Sequence, residues 1–146
     1  MLRYQHILLT TDLAQDTLKL GERARDIAKH SNAKLSVVHV LEYTPVVYGS
    51  GEFSIPLDIN IEETLRNRAT EALADLAKHM DIPPADQYIE IGSIKRTVAI
   101  LADKIKADLI IVGIHGRRGV EKLLGATANA ILHQAKCDVL AVRTYD

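Results

Sequence analysis

The chain alternates short apolar runs with segments of helical periodicity, and this alternation constrains its fold more than any other feature. Runs such as LSVVHV and LIIV are continuous or nearly so, which is typical of parallel strands that are covered on both faces. The predicted strands are His6–Thr10, Leu35–Val40, Gln87–Ile91, Leu109–Val112 and Val139–Val142.

Four helices are predicted between these strands. The first ends at Ser31-Asn32, a capping box of Asn60 and Glu63 opens the second, and Ser93 caps the third. The residues predicted to face inward are Leu20, Ala24, Ile27 and Ala28 in the first helix, Ile61, Leu65, Ala69, Leu73, Leu76 and Met80 in the second, Val98, Leu101, Ala102 and Ile105 in the third, and Ala128, Ile131, Leu132 and Ala135 in the fourth.

This order predicts one α/β domain over residues 1–146, a doubly wound fold with helices on both faces of a five-stranded parallel sheet. We expect the strand order 3-2-1-4-5, which makes strands one and four neighbours at the point where the order reverses. Open α/β sheets bind ligands at that point, outside the carboxyl ends of the strands. The long connection Glu42–Asn60 shows no periodicity and is either a surface excursion or a functional segment.

Composition excludes several functional classes. The formal net charge is −1, with basic and acidic residues mixed, which argues against a nucleic-acid partner. No apolar run approaches the ~20 residues that a membrane span needs, and no signal-peptide pattern is expected at the N-terminus. The single Cys137 fits a reducing compartment, so a cytoplasmic location is expected.

Glycine is concentrated in the segment GIHGRRGVEKLLGATANAI, which follows the fourth strand. Gly113 and Gly116 allow backbone N–H groups to approach an anion, and the amides of residues 125–127 would lie at a helix N-terminus that favours phosphate. Arg117, Arg118 and Lys122 add positive charge. The segment is neither a Walker A loop nor a dinucleotide fingerprint, so a mobile loop without a ligand remains the alternative.

Asp12 ends the polar turn Thr10-Thr11-Asp12 after the first strand, so it would face the glycine-rich loop across the crevice. Its carboxylate suits either a ribose hydroxyl or the cap of the following turn. His39 lies within a strand and is expected to be a hydrogen-bonded core residue, and Cys137 a buried or half-buried apolar one. No histidine spacing indicates a metal site, and no motif indicates a catalytic residue.

The whole chain resembles the universal stress protein family. The matching pieces are HILLTTDLA, LSVVHVLEY and ADLIIVGIHGRRG…LLGATANAILHQAKCDVLAVR, the last of which resembles the family's G-x-x-G-x9-G-[ST] nucleotide motif. The stretch YGSGEFSIPLDINIEE resembles the A-type branch of the family.

The resemblance implies a cytoplasmic stress-response protein, a homodimer, and no dedicated catalytic machinery. It implies ATP or a related adenine nucleotide as ligand, with Mg²⁺ as a candidate companion ion. Asp12 would contact the ribose, and Val40 would meet adenine through its backbone. Arg117 is a candidate phosphate contact because of its charge in the loop rather than because of the resemblance. The phosphates would be held by Gly113, Gly116, Gly125, Ala126 and Thr127.

One departure from the family motif leaves the ligand open. Eight residues, rather than nine, separate Gly116 from Gly125, and Ala126 follows where Ser or Thr is expected. One residue of helix is about 100° of rotation, so the position of the Thr127 hydroxyl is the open point. Some A-type relatives do not bind ATP. The alternative function is therefore a dimeric interaction module of the same fold that binds no nucleotide.

The last strand is expected to form the homodimer interface through Asp138–Arg143. In the predicted order this strand is an exposed edge, and an unpaired edge can pair with another chain.

Overall fold

The computed structural model describes residues 3–14, 17–42, 47–48, 55–56, 59–114 and 126–144. The helices in these ranges are α1 (Thr17–Ser31), α2 (Ile59–His79), α3 (Ile94–Ile105) and α4 (Ala126–Gln134). The strands are β1 (His6–Thr10), β2 (Lys34–Leu41), β3 (Val47–Tyr48), β4 (Ile55–Pro56), β5 (Gln87–Ile91), β6 (Leu109–Ile114) and β7 (Asp138–Arg143).

Five of the strands form one parallel sheet in the order β5-β2-β1-β6-β7. Counted along the chain without the short β3 and β4, this is the order 3-2-1-4-5, so the predicted topology is confirmed. The central strand β1 pairs with β2 on one side and with β6 on the other, where Thr10 lies opposite Val38 and Val112. The carboxyl ends of β1 and β6 therefore lie side by side.

Two hydrophobic layers cover the sheet, because successive strand residues point to opposite faces. Leu9 and Val37 pack in the layer that includes residues of α1 and α2. Leu8 and Val38 pack in the layer that includes residues of α3 and α4. The predicted helical cover on both faces is confirmed, and the nearly continuous apolar runs of β1 and β6 follow from it.

The connection between β2 and α2 contains the short antiparallel pair β3 and β4, in which Val47 lies opposite Pro56 and Tyr48 opposite Ile55. This pair was not predicted from the sequence, because two residues are too few to show a period of two.

Three residues predicted to face inward are exposed. Ile61 and Leu65 in α2 are 40% and 36% exposed, and Leu132 in α4 is 50% exposed. A helix of 21 residues is about 31 Å long, whereas the five residues of β5 span about 17 Å, so the first turns of α2 extend beyond the sheet. Leu132 follows the fully buried Ile131 by one position, a rotation of about 100°, so both cannot face the sheet.

The predicted helix boundaries hold in two of three cases. α1 ends at Ser31, followed by Asn32 in the left-handed conformation at φ 53°, as expected. Ser93 is the N-cap residue of α3, although its side chain makes no capping hydrogen bond. α2 begins at Ile59, so Asn60 lies inside the helix rather than at its cap.

Gly92 joins β5 to α3 in a conformation that favours glycine. Its φ is +146°, and its N–H donates to the Leu41 carbonyl over 3.1 Å. A Cβ at this position would lie 2.7 Å from the Thr97 hydroxyl oxygen. The glycine therefore allows the chain to turn directly from the end of the sheet into α3.

We expect Gly92→Ala to lower the free energy of unfolding by about 1–3 kcal/mol, because it adds both backbone strain and a steric clash. Ser93→Ala is the matched control and should change it by less than about 0.5 kcal/mol, since the serine side chain makes no capping bond. Chemical denaturation measures both. A Gly92→Ala protein as stable as the wild type would contradict this account of the turn.

Candidate functional site

A cavity opens at the carboxyl ends of β1, β2 and β6, at the predicted reversal of strand order. Its enclosed part is about 70 Å³, well below the ~300–1,000 Å³ of pockets for drug-sized ligands. The described residues therefore enclose only the inner end of a potential site. The residues that line this cavity are Thr10, Thr11, Asp12, His39, Val40, Ile94, Val112, Gly113 and Thr127.

Local hydrogen bonds shape the turn that carries Asp12. The Leu13 N–H donates to the Thr11 hydroxyl oxygen over 3.0 Å, and the Ala14 N–H donates to Asp12 Oδ1 over 2.9 Å. The Thr11 and Thr17 hydroxyls are also hydrogen-bonded to each other, and Leu13 is left-handed at φ 61°. One carboxylate oxygen of Asp12 thus closes the turn. The same side chain is exposed at the cavity, so the turn and ligand roles are compatible.

The inner wall of the cavity is apolar. Val40 lies in β2 and Val112 in β6, the strands on either side of β1, and they are 6% and 3% exposed. Ile94, the first residue of α3, is half-buried. Apolar side chains of this kind suit the faces of an aromatic ring.

Other parts of the cavity lining are polar: the backbone at Gly113 and the residue Thr127 with its hydroxyl group. Gly113 lies in β6, one residue before its end, and Thr127 is the second residue of α4. The first turn of a helix has backbone N–H groups without intrahelical partners, and the helix dipole favours negative charge there. Thr127 is exposed and lines the cavity, so the shortened spacer does not remove this residue from the crevice.

Four predicted site residues thus meet at one cavity: Asp12, Val40, Gly113 and Thr127. Ala126 begins α4, as expected for a helix N-terminus. The predicted residues Gly116, Arg117 and Gly125 lie outside the described residues.

The cavity is also lined by four residues that were not predicted from the sequence to belong to the site: Thr10, His39, Ile94 and Val112. Thr10 and Val112 could have been found by aligning the ends of the adjacent predicted strands, because they lie opposite each other in the ladder. Ile94 was harder to predict: the Gly92-Ser93 turn before α3 only indicates that the helix begins near the carboxyl end of β5. His39 was predicted to be a hydrogen-bonded core residue, and its Nδ1 lies 2.8 Å from the Thr11 carbonyl oxygen.

The other side chains of potential catalytic interest are structural. His6 Nδ1 lies 3.0 Å from the Ile105 carbonyl oxygen, and Nε2 lies 2.8 Å from the hydroxyl oxygen of Ser36, which is fully buried. A substrate cannot reach this serine. Among the described residues, no three His, Cys, Asp or Glu side chains come together as a metal site.

Cys137 is half-buried, as predicted. Burial raises the pKa of its thiol, and the nearby carboxylates of Asp138 and Asp108 raise it further. The reactive form of cysteine is the thiolate, so this residue is not an activated nucleophile.

A second cavity lies at the opposite end of the sheet and is larger, about 340 Å³. Four of its charged groups form ion pairs: Arg25 with Asp81 at 2.7 Å, and Lys34 with Asp86 at 3.1 Å. Because parallel α/β sheets bind ligands at the carboxyl ends of their strands, the smaller cavity is the candidate site. In the part of the chain that the structure describes, no helix is long and apolar enough to cross a membrane.

Comparison with known proteins agrees with the fold. The model of the universal stress protein family matches residues 3–143. Universal stress protein A homolog 1 of Coxiella burnetii is 48% identical over 141 residues, which are 97% of this chain and 97% of that protein.

Two solved structures are similar along nearly the whole chain. One is a universal stress protein in complex with cAMP, with a TM-score of 0.72 and 24% identity, covering 99% of this chain and all of the other. The second is the universal stress protein UspA of Lactobacillus plantarum, with a TM-score of 0.75 and 23% identity, covering 98% and 100%. At these identities the two structures support the fold.

Proposed function

The chain belongs to the universal stress protein family, and on that premise we propose that it binds ATP or a related adenine nucleotide at the carboxyl ends of β1 and β6. The observation that carries this proposal is the meeting of Asp12, Val40, Gly113 and Thr127 at one cavity. These residues come from four separate segments, and the resemblance to the family assigns each of them to the nucleotide.

The groups at the cavity suit the base, the ribose and the phosphates of a nucleotide. The apolar side chains of Val40, Ile94 and Val112 suit the base. The Asp12 carboxylate can accept from ribose hydroxyls while it closes its own turn. The backbone at Gly113 and the N-terminus of α4 suit the phosphates, which bring Mg²⁺ as their counterion. A related universal stress protein was solved with cAMP, which supports adenine as the base.

The phosphate contacts extend in the proposal to residues outside the described ranges. Gly116 and Gly125 would bring backbone N–H groups to the phosphates, and Arg117 would add a positive charge. Ala126 and Thr127 would contribute the first amides of α4. The exposed Thr127 at the cavity supports direct contact between its hydroxyl and a phosphate.

The proposed activity is regulated binding in a cytoplasmic stress response, without dedicated catalysis. Universal stress proteins act in stress responses, and no motif of this sequence indicates a catalytic residue. Asp12 is the described carboxylate at the cavity, and one of its oxygens accepts from a backbone N–H.

We expect isothermal titration calorimetry to detect ATP binding in the presence of Mg²⁺. Thr127→Ala should weaken it about 5- to 150-fold, because a hydrogen bond to a charged group contributes about 1–3 kcal/mol. Thr127→Ser keeps the hydroxyl and should bind within about threefold of the wild type. No heat and no thermal stabilisation of the wild type at millimolar ATP would contradict the proposal and favour the interaction module.

We also propose that the protein is a homodimer through β7. This strand is an edge of the sheet, with Leu140 37% exposed. The Thr144 N–H donates to the Ile114 carbonyl over 3.5 Å, so by alternation the even-numbered amides of β7 face β6. The amides of Val139, Ala141 and Arg143 therefore face outward, where the same strand of a second copy can pair with them.

Ala141→Pro should weaken the dimer, because it removes an outward-facing donor and leaves the β6–β7 ladder in place. Ala141→Gly keeps the donor and controls for the loss of the alanine side chain. Analytical ultracentrifugation across micromolar concentrations should show dimer for the wild type and the glycine variant, and dissociation for the proline variant. A monomeric wild type, or a proline variant that dimerises as tightly as the glycine variant, would contradict this interface.

A further inference from the structure

The ladder between β1 and β2 ends one hydrogen bond early. At its start the Lys34 N–H donates to the Gln5 carbonyl over 3.0 Å, and near its end the Thr11 N–H donates to the Val38 carbonyl over 3.0 Å. In a parallel ladder these bonds recur every second residue, so the next bond would join the Val40 N–H to the Thr11 carbonyl. No such backbone bond forms among the described residues.

The side chain of His39 occupies the carbonyl that this bond would use. Its Nδ1 lies 2.8 Å from the Thr11 carbonyl oxygen. A carbonyl oxygen only accepts hydrogen bonds, so Nδ1 carries the proton and donates. His39 thus replaces the last backbone donor of the ladder with a side-chain donor.

The direction of this side chain follows from strand alternation. Val37 packs in the layer with α1 and α2, whereas Val38 and Val40 pack in the layer with α3 and α4. His39 is therefore on the α1 and α2 face. Its hydrogen bond holds the Thr11 carbonyl toward that face. Val40, Ile94 and Val112, which line the cavity together with His39, pack in the layer on the other face.

The Val40 N–H is consequently a buried donor at the cavity. Val40 is only 6% exposed, and within the described ranges no protein acceptor for its N–H replaces the missing rung. Orphaned buried N–H groups are rare in native proteins, because leaving one unsatisfied costs about 1–3 kcal/mol. A ligand with an acceptor atom at this point would satisfy it.

We propose that His39 is a positioning residue of the nucleotide site, because it withholds the Thr11 carbonyl from the ladder and so leaves the Val40 N–H available to the ligand. This inference rests on the proposed function. The ligand atom that fits is an unprotonated ring nitrogen of a purine, which accepts one hydrogen bond in the plane of the ring. His39 itself does not contact the ligand in this account.

The two parts of the inference are tested by separate measurements on wild type, His39→Leu and His39→Asn. Leucine removes the donor, whereas the asparagine side-chain nitrogen can take the place of Nδ1. In the ligand-free protein, scalar coupling across a hydrogen bond between Val40 N and the Thr11 carbonyl carbon reports the rung by NMR. It should be absent in wild type and His39→Asn and present in His39→Leu.

ATP affinity is the second measurement. His39→Leu should bind at least about tenfold more weakly, since the ligand must then break a formed backbone bond. His39→Asn should bind within about threefold of the wild type. A merely structural role would lower stability in both variants without creating the Val40–Thr11 coupling.

Three results would overturn the inference. One is coupling between Val40 and Thr11 in the wild type, and another is its absence in a folded His39→Leu protein. The third is a ring ¹⁵N spectrum that places the proton of neutral His39 on Nε2, which requires no variant to fold. If the wild type binds no ATP, the proposed function fails, and the coupling and tautomer still decide whether His39 opens the ladder.

Discussion

The end of the β1–β2 ladder is the interaction on which the site depends. The backbone of β1 and of Thr11, the residue that follows it, is hydrogen-bonded to β2. Beyond Thr11 the chain turns through Leu13, which has a positive φ. The Thr11 carbonyl bonds to His39, and the Thr11 hydroxyl receives the Leu13 N–H. Because hydrogen bonds hold both the carbonyl and the hydroxyl of Thr11, the turn presents Asp12 at the cavity.

The topology explains why a site exists at this point. From β1 the sheet grows in one direction through β2 and β5. The chain then crosses back, and β6 and β7 add to the other side of β1. The connections after β1 and β6 consequently diverge, and the sheet leaves a crevice between them. Val40 and Val112 line it from the strands on either side of β1, and Ile94 closes it from α3.

Most of the architecture could be predicted from the sequence. β1 and β5 were predicted with their observed bounds, because their flanking turns are marked by polar residues and glycine. The errors at Ile61, Leu65 and Leu132 have a common cause: helical periodicity identifies an apolar stripe, but the length and position of the sheet determine how much of it is covered.

The site was predicted less completely. Asp12 followed from its place after the first strand and Val40 from the family resemblance. The role of His39 depends on the register of the ladder, which no local pattern contains. The shortened spacer left the position of Thr127 open, and the structure brings this residue to the cavity.

The most direct test of the account is a ¹⁵N–¹H NMR titration of the ligand-free protein with ATP and Mg²⁺. We expect the largest amide shifts at Val40, Gly113 and Thr127, with the Val40 proton moving downfield as it gains an acceptor. Shifts confined to Arg25, Lys34 and Asp86, around the larger cavity at the opposite end of the sheet, would contradict it.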